Sequence, residues 1–192
     1  MRSRKHAQTR PSPVPVALLL IDVLTTFQFP DGDAILKNAL AMRDPLVRLK
    51  SRAREAGIPV LYVNDNLGDW RSEKEVLMGR CLEGKGAKFV RSLMPDSEDY
   101  FVLKPKHSGF FGTTLDTLLE TLRIRRVILT GIAGNICVLF TANDAYMREL
   151  KIITPPDCIV SNTPEENAHA LEQIGSILKG HLTPSTLLNF RK

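Results

Sequence analysis

Val16-Ala-Leu-Leu-Leu-Ile21 is an unbroken apolar run that stops at an acid, Asp22. A strand with one face in water alternates apolar and polar residues. A run with no polar position must be covered on both faces, as in a parallel sheet between layers of helices.

The rest of the chain repeats this theme. Ile58–Val63, Tyr100–Leu103 and Arg126–Thr130 read as further strands; Ile152–Ile153 begins a fifth, and Cys158–Val160 a sixth or an extension. Helical spacing separates them. Ile35, Leu36, Leu40, Leu46 and Leu49 recur along residues 34–56, with Pro45 expected to kink or split that helix and Gly57 to cap it. A short helix is expected near Glu73–Met78. Others are expected over Thr113–Leu122, Ile136–Leu150 and Pro164–Leu178, the last with proline in its first turn after Thr163. Residues 181–192 offer one more short segment. Strands alternating with helices specify an α/β fold with a mostly parallel sheet and helices on both faces. Crossovers are expected to be right-handed.

Residues 16–192 read as a single domain, a size one hydrophobic core serves. The net charge of +5 does not mark a nucleic-acid binder. Arg2, Arg4, Lys5 and Arg10 open the chain with no acid among them, and without those four, 22 basic residues face 21 acidic ones. Charge gathered on a folded face is what nucleic-acid recognition requires. Residues 1–15, with Pro11, Pro13 and Pro15, read as a basic mobile tail. A targeting peptide would need an apolar stretch before a cleavage site, which is absent there. The run at Val16–Ile21 is far shorter than the roughly 20 residues that span a bilayer. Cys81, Cys137 and Cys158 are odd in number and widely spaced, which is neither a disulfide framework nor a zinc motif; reduced thiols in the cytoplasm are expected.

In open α/β sheets, ligands bind beyond the carboxyl ends of the strands. Three residues qualify by position. Asp22 follows the first strand and Lys104 the third. Cys137 follows the Gly131-Ile-Ala-Gly-Asn-Ile136 loop, where the next helix begins. A thiol at a helix start near a lysine is expected to have a lowered pKa, and the thiolate is the nucleophile. Asp22 could accept the thiol proton. Each has an ordinary alternative: a small buried cysteine, a turn or cap carboxylate, and a solvated lysine such as Lys106.

Taken together, three blocks resemble the isochorismatase-like cysteine hydrolases, a family that includes nicotinamidases, N-carbamoylsarcosine amidases and ureidoacrylate-type amidohydrolases. Ala17–Asp22 followed by Phe27 resembles the family's first strand and catalytic acid. Lys104-Pro-Lys-His-Ser-Gly-Phe-Phe-Gly-Thr113 resembles its lysine block. Gly131–Val138 followed by Thr141-Ala-Asn-Asp-Ala145 resembles its nucleophile block. The resemblance runs from about Val16 to Leu178. It implies a Rossmann-like three-layer sandwich with a mostly parallel six-stranded sheet, and an Asp22–Lys104–Cys137 triad. It also implies a cis peptide at Ile132–Ala133, with the amides of Ala133 and Cys137 as oxyanion hole. Phe27, Phe29, Asn64 and Trp70 are expected around the substrate, Trp70 as a lid or interface residue. The implied activity is hydrolysis of a C–N bond in a small amide, carbamoyl or ureido compound through a thioester. The implied assembly is a homo-oligomer, dimer or tetramer, with a small-molecule substrate and no nucleic-acid or membrane partner.

The sequence departs from the nicotinamidases where they resemble one another in a histidine metal site after the second strand. Asn64-Asp-Asn-Leu-Gly-Asp-Trp70 stands there, and His6, His107, His169 and His181 lie elsewhere, so no metal and no cofactor are expected. Asp65 and Asp69 remain as turn formers or weak cation ligands. Ether hydrolysis of the isochorismatase type lacks the nucleophilic cysteine and is the alternative enzymatic reading. A silent metabolite-binding module is the non-enzymatic one. Nucleotide binding lacks its glycine-rich loop.

Overall fold

A computed structural model describes residues 15–71 and 73–190. The basic opening segment, Pro15 apart, lies outside them. Six strands form one parallel sheet: β1 (Val16–Ile21), β2 (Val60–Asp65), β3 (Tyr100–Lys104), β4 (Arg126–Ile132), β5 (Lys151–Ile153) and β6 (Ile159–Val160). Their order is β3-β2-β1-β4-β5, and β6 pairs with the far end of β4.

The unbroken apolar run is explained by the two cores. Leu18 and Leu20 of β1 enter one core, and Ala17, Leu19 and Ile21 the other; all are fully buried. The first core lies under α1 (Gly32–Glu55), α2 (Lys74–Glu83) and α3 (Ala87–Ser92). The second lies under α4 (Leu115–Thr121), α5 (Leu139–Met147) and α6 (Pro164–Ser176). This is the Rossmann-like three-layer arrangement.

Three elements differ from the sequence expectation. α1 runs unbroken through Pro45, because Met42 before it and Leu46 and Leu49 after it all bury against the sheet. α3 was not expected; Phe89 anchors it by packing edge-on against Phe27, 5.8 Å between centroids. The helix after β4 opens with a π-helical turn, Gly134–Val138, before α5 begins. Such a turn inserts a residue into the usual bonding ladder and is found often at functional sites.

Candidate active site

β1 and β4 are neighbours, and the chain leaves them toward opposite sides of the sheet, making the crevice where α/β folds hold ligands. Asp22 turns out of β1 with φ 50°, a left-handed conformation that aspartate tolerates, and its N–H donates to Val63 O at 3.1 Å. β4 approaches so closely that a Cβ at Gly131 would lie 2.0 Å from Ile21 O, and Gly131 has φ 116°; only glycine fits. The Ile132–Ala133 peptide is cis. Gly134 packs against Asn167 and Ser161, and Ser161 Oγ accepts from Asn135 N–H at 3.0 Å, fixing the loop that delivers Cys137.

Lys104 starts two strands away from Asp22, about 10 Å at the usual strand spacing. Its register partner on β2 is Asp65, so its long side chain crosses the end of β2 to reach the crevice. There its ammonium lies 2.8 Å from Asp22 Oδ2, 3.5 Å from Asp65 Oδ2 and 3.6 Å from Cys137 Sγ. An ammonium has three donors, and three partners surround this one. Asp65 N–H donates to Asp22 Oδ1 at 2.6 Å, holding the carboxylate from its other oxygen. Asp22 and Cys137 meet at the same ammonium, and each perturbs the acidity of the other. The structure thus brings Asp22, Lys104 and Cys137 together.

Their protonation follows from burial and charge. Lys104 is fully buried. Burial opposes its charge, but Asp22, Cys137 and Asp65 together hold its pKa above the ordinary lysine value. Burial raises the Asp22 carboxyl above the ordinary carboxylate value, and Lys104 only partly offsets this. Cys137 is pushed up by burial and by the adjacent Asp22 charge, against the pull of Lys104. The expectation of a lowered thiol pKa is therefore corrected: in the resting site Cys137 is a thiol beside a carboxylate of raised basicity. That is the pairing a proton transfer between them requires.

A cavity of about 340 Å³ opens over Cys137 and Asp22. Phe29, Ala133 and Asn64 are on its wall. Asn64 is fully buried and clamps the loop after β1: its Oδ1 accepts from Leu24 N–H at 3.1 Å and its Nδ2 donates to Leu24 O at 2.7 Å. Two expected substrate residues are elsewhere. Phe27 is fully buried in the first core, where α3 claims its ring. Trp70 is 81% exposed and is not on the cavity wall, because its loop turns outward at Leu67 and Gly68, both at positive φ. The loop after β1, expected from sequence as pocket wall, lines the cavity with Leu24, Thr25, Phe29 and Pro30, whereas Ile35, Leu67, His107, Ile136 and Asn162 also line it and were not singled out from sequence. Only His107 carried a signal, as the one histidine of the lysine block.

Asp65, offered by the sequence as a turn former or weak cation ligand, accepts from Leu67 N–H at 2.7 Å through Oδ1 and faces Lys104 with Oδ2. Among the described residues no three His, Cys, Asp or Glu side chains converge on one point. Among them, too, no helix is long and apolar enough to cross a membrane.

The sequence profile of the isochorismatase domain matches residues 16–181. The chain belongs to the isochorismatase family. It is 42% identical, over 87% of its length and 92% of the relative's, to the uncharacterized isochorismatase family protein YaaI of Bacillus subtilis. It is 34% identical to the ureidoacrylate amidohydrolase RutB of Acinetobacter baylyi, over 58% of this chain and 46% of that one; the match spans about half of that relative. Among solved structures it is similar to N-carbamoylsarcosine amidase from Thermoplasma acidophilum, with 25% identity, TM-score 0.70, and coverage of 92% and 99% of the two chains. This protein is an isochorismatase-family hydrolase with amidohydrolase relatives.

Proposed function

We propose that the protein hydrolyses a C–N bond of a small amide, carbamoyl or ureido compound, with Cys137 as nucleophile. The observation that carries this reading is the Lys104 ammonium, seated between the Asp22 carboxylate at 2.8 Å and the Cys137 sulfur at 3.6 Å beneath an open cavity.

Asp22 takes the thiol proton as Cys137 Sγ adds to the substrate carbonyl. Lys104 stays protonated and offsets the negative charge that moves between them. The backbone N–H groups of Ala133 and Cys137 receive the oxyanion. As the C–N bond breaks, Asp22 returns its proton to the departing nitrogen, leaving a thioester on Cys137. Water, deprotonated by the freed Asp22, adds to the thioester; the acid leaves and the thiol regains its proton. The net reaction consumes one water and releases acid plus ammonia or amine. Three free thiols suit a reducing compartment, so the cytoplasm is the proposed location.

The test is ammonia release over a panel of small amides and ureido compounds by wild type and Cys137→Ala. Wild type is expected to turn over at least one of them, and Cys137→Ala to lose activity by about 10⁴-fold or more. Full turnover by a folded Cys137→Ala protein would sink the scheme.

A further inference from the structure

The substrate class can be narrowed from the charge of the cavity wall, an inference that rests on the amide-hydrolase reading above. Leu24, Phe29, Ile35, Leu67, Ile132 and Ile136 make most of that wall. Phe29 and Leu67 are 42% and 37% exposed, apolar side chains that a bound ligand would cover. The volume of about 340 Å³ is near the lower end for small-molecule sites.

The charges at its floor are unbalanced. Asp22 and Asp65 both line the cavity. The ammonium facing them, that of Lys104, is buried and committed to Asp22, Asp65 and Cys137. Among the described residues, no arginine or lysine is on the wall. Arg80, which meets the loop after β2, is taken by Asp69 at 2.8 Å. Among the described wall residues only His107 has a side chain of the basic type, and its ring lies edge-on to Phe140, 5.4 Å between centroids. Carboxylate recognition calls for a cationic fork or several converging donors. An anion here would lose its hydration to an apolar wall and approach two carboxylates.

We infer that the cavity selects an uncharged carboxamide with an apolar acyl body, a branched aliphatic or single-ring aromatic amide, and rejects substrates bearing a carboxylate. This separates the chain from relatives named for ureidoacrylate, itself an anion.

The experiment compares 4-isopropylbenzamide with 4-carboxybenzamide, matched in heavy-atom count and different in charge. It has two arms: kcat/KM for wild type, and calorimetric binding to Cys137→Ala, which needs no turnover. The neutral amide is expected to be favoured about 100-fold in kcat/KM and at least about tenfold in binding. Leu67→Arg, on the rim and outside the catalytic groups, is expected to raise binding and kcat/KM for the carboxylate roughly tenfold. Equal treatment of the two compounds, preference for the carboxylate, or no calorimetric binding of the neutral amide would overturn the inference. Selective binding of the neutral amide with no turnover of either would retire the hydrolase reading and leave this one standing.

Discussion

Asp22 and Cys137 share one proton, and their surroundings decide where it rests. Burial lifts both above their ordinary values, and the Asp22 charge lifts the thiol, already the weaker acid, further, which favours the proton on sulfur; Lys104 is held above the ordinary lysine value. The signs set a pH profile. The base must be deprotonated, and its raised pKa places the acid limb of kcat/KM above the ordinary aspartate value of about 3.9; loss of charge on Lys104 places the alkaline limb above about 10.4. A profile whose acid limb lies below pH 4 would remove Asp22 as the base. Asp22→Asn is expected to lower kcat by roughly 10²–10⁴-fold. The cysteines give a second readout. Cys81 and Cys158 are fully buried, and burial pushes them up to about 11 and about 12. Cys137 alone of the three is not fully buried and faces the cavity, so iodoacetamide at pH 8 is expected to add once, at Cys137; intact-mass and peptide analysis read this. At this scale the three triad positions were legible because each lies at the end of a strand or just past the loop that follows one. Asp65 as a third partner of Lys104 was not, since only the β2–β3 register places it there.

The strands were legible because burial on both faces leaves no polar position to blur them, and the longer helices because each keeps an apolar stripe. Where the reading failed, tertiary packing had outweighed local preference. A proline inside a helix costs about 3 kcal/mol, yet buried side chains on both sides of Pro45 hold α1 in one piece. The six residues of α3 are too few to show a period; only the meeting of Phe89 with Phe27 fixes them. That contact also withdraws Phe27 from the cavity, a choice no spacing rule could reveal. α6 is the opposite case, local from end to end. Thr163 Oγ1 accepts from Glu166 N–H at 3.2 Å, Glu166 Oε2 accepts from Thr163 N–H at 3.2 Å, and Pro164 occupies the first turn. Asn167 of this helix packs on Gly134 and Ser161, behind the nucleophile loop. Thr163→Ala is expected to cost about 1 kcal/mol, lowering Tm by roughly 2–4 °C for a chain of this size. An unchanged melting curve would show that the reciprocal cap is idle.

At the scale of the molecule, the segment after α6 closes the structure. His181 lies beside β5, donating its N–H to Ile152 O and accepting from Thr154 N–H, both at 2.9 Å. It thereby occupies backbone groups that would otherwise stand open at a sheet edge. Ser185 is held twice by Asp157, its N–H at 2.8 Å and its hydroxyl at 2.5 Å. Arg52 of α1 donates to the carbonyls of Ser185 and Leu188 and lies over the Phe190 ring. Leu188 completes the first core from below. The segment therefore ties the last strands to the first helix, linking the two ends of the fold on the side away from α4 and α5. Deleting residues 181–192 would uncover Leu188's place in the core, worth about 1.5–3 kcal/mol. It would also break hydrogen bonds worth about 1 kcal/mol each. The expected loss is roughly 4 kcal/mol, or about 10 °C in Tm, together with self-association through the open β5 edge. Arg52→Ala keeps the edge covered while releasing the strap, so it should lower Tm less and leave the protein monodisperse relative to wild type. Calorimetry and light scattering separate the two effects. A truncated protein that melts with the full chain would show that the sheet and its six helices are stable without the strap.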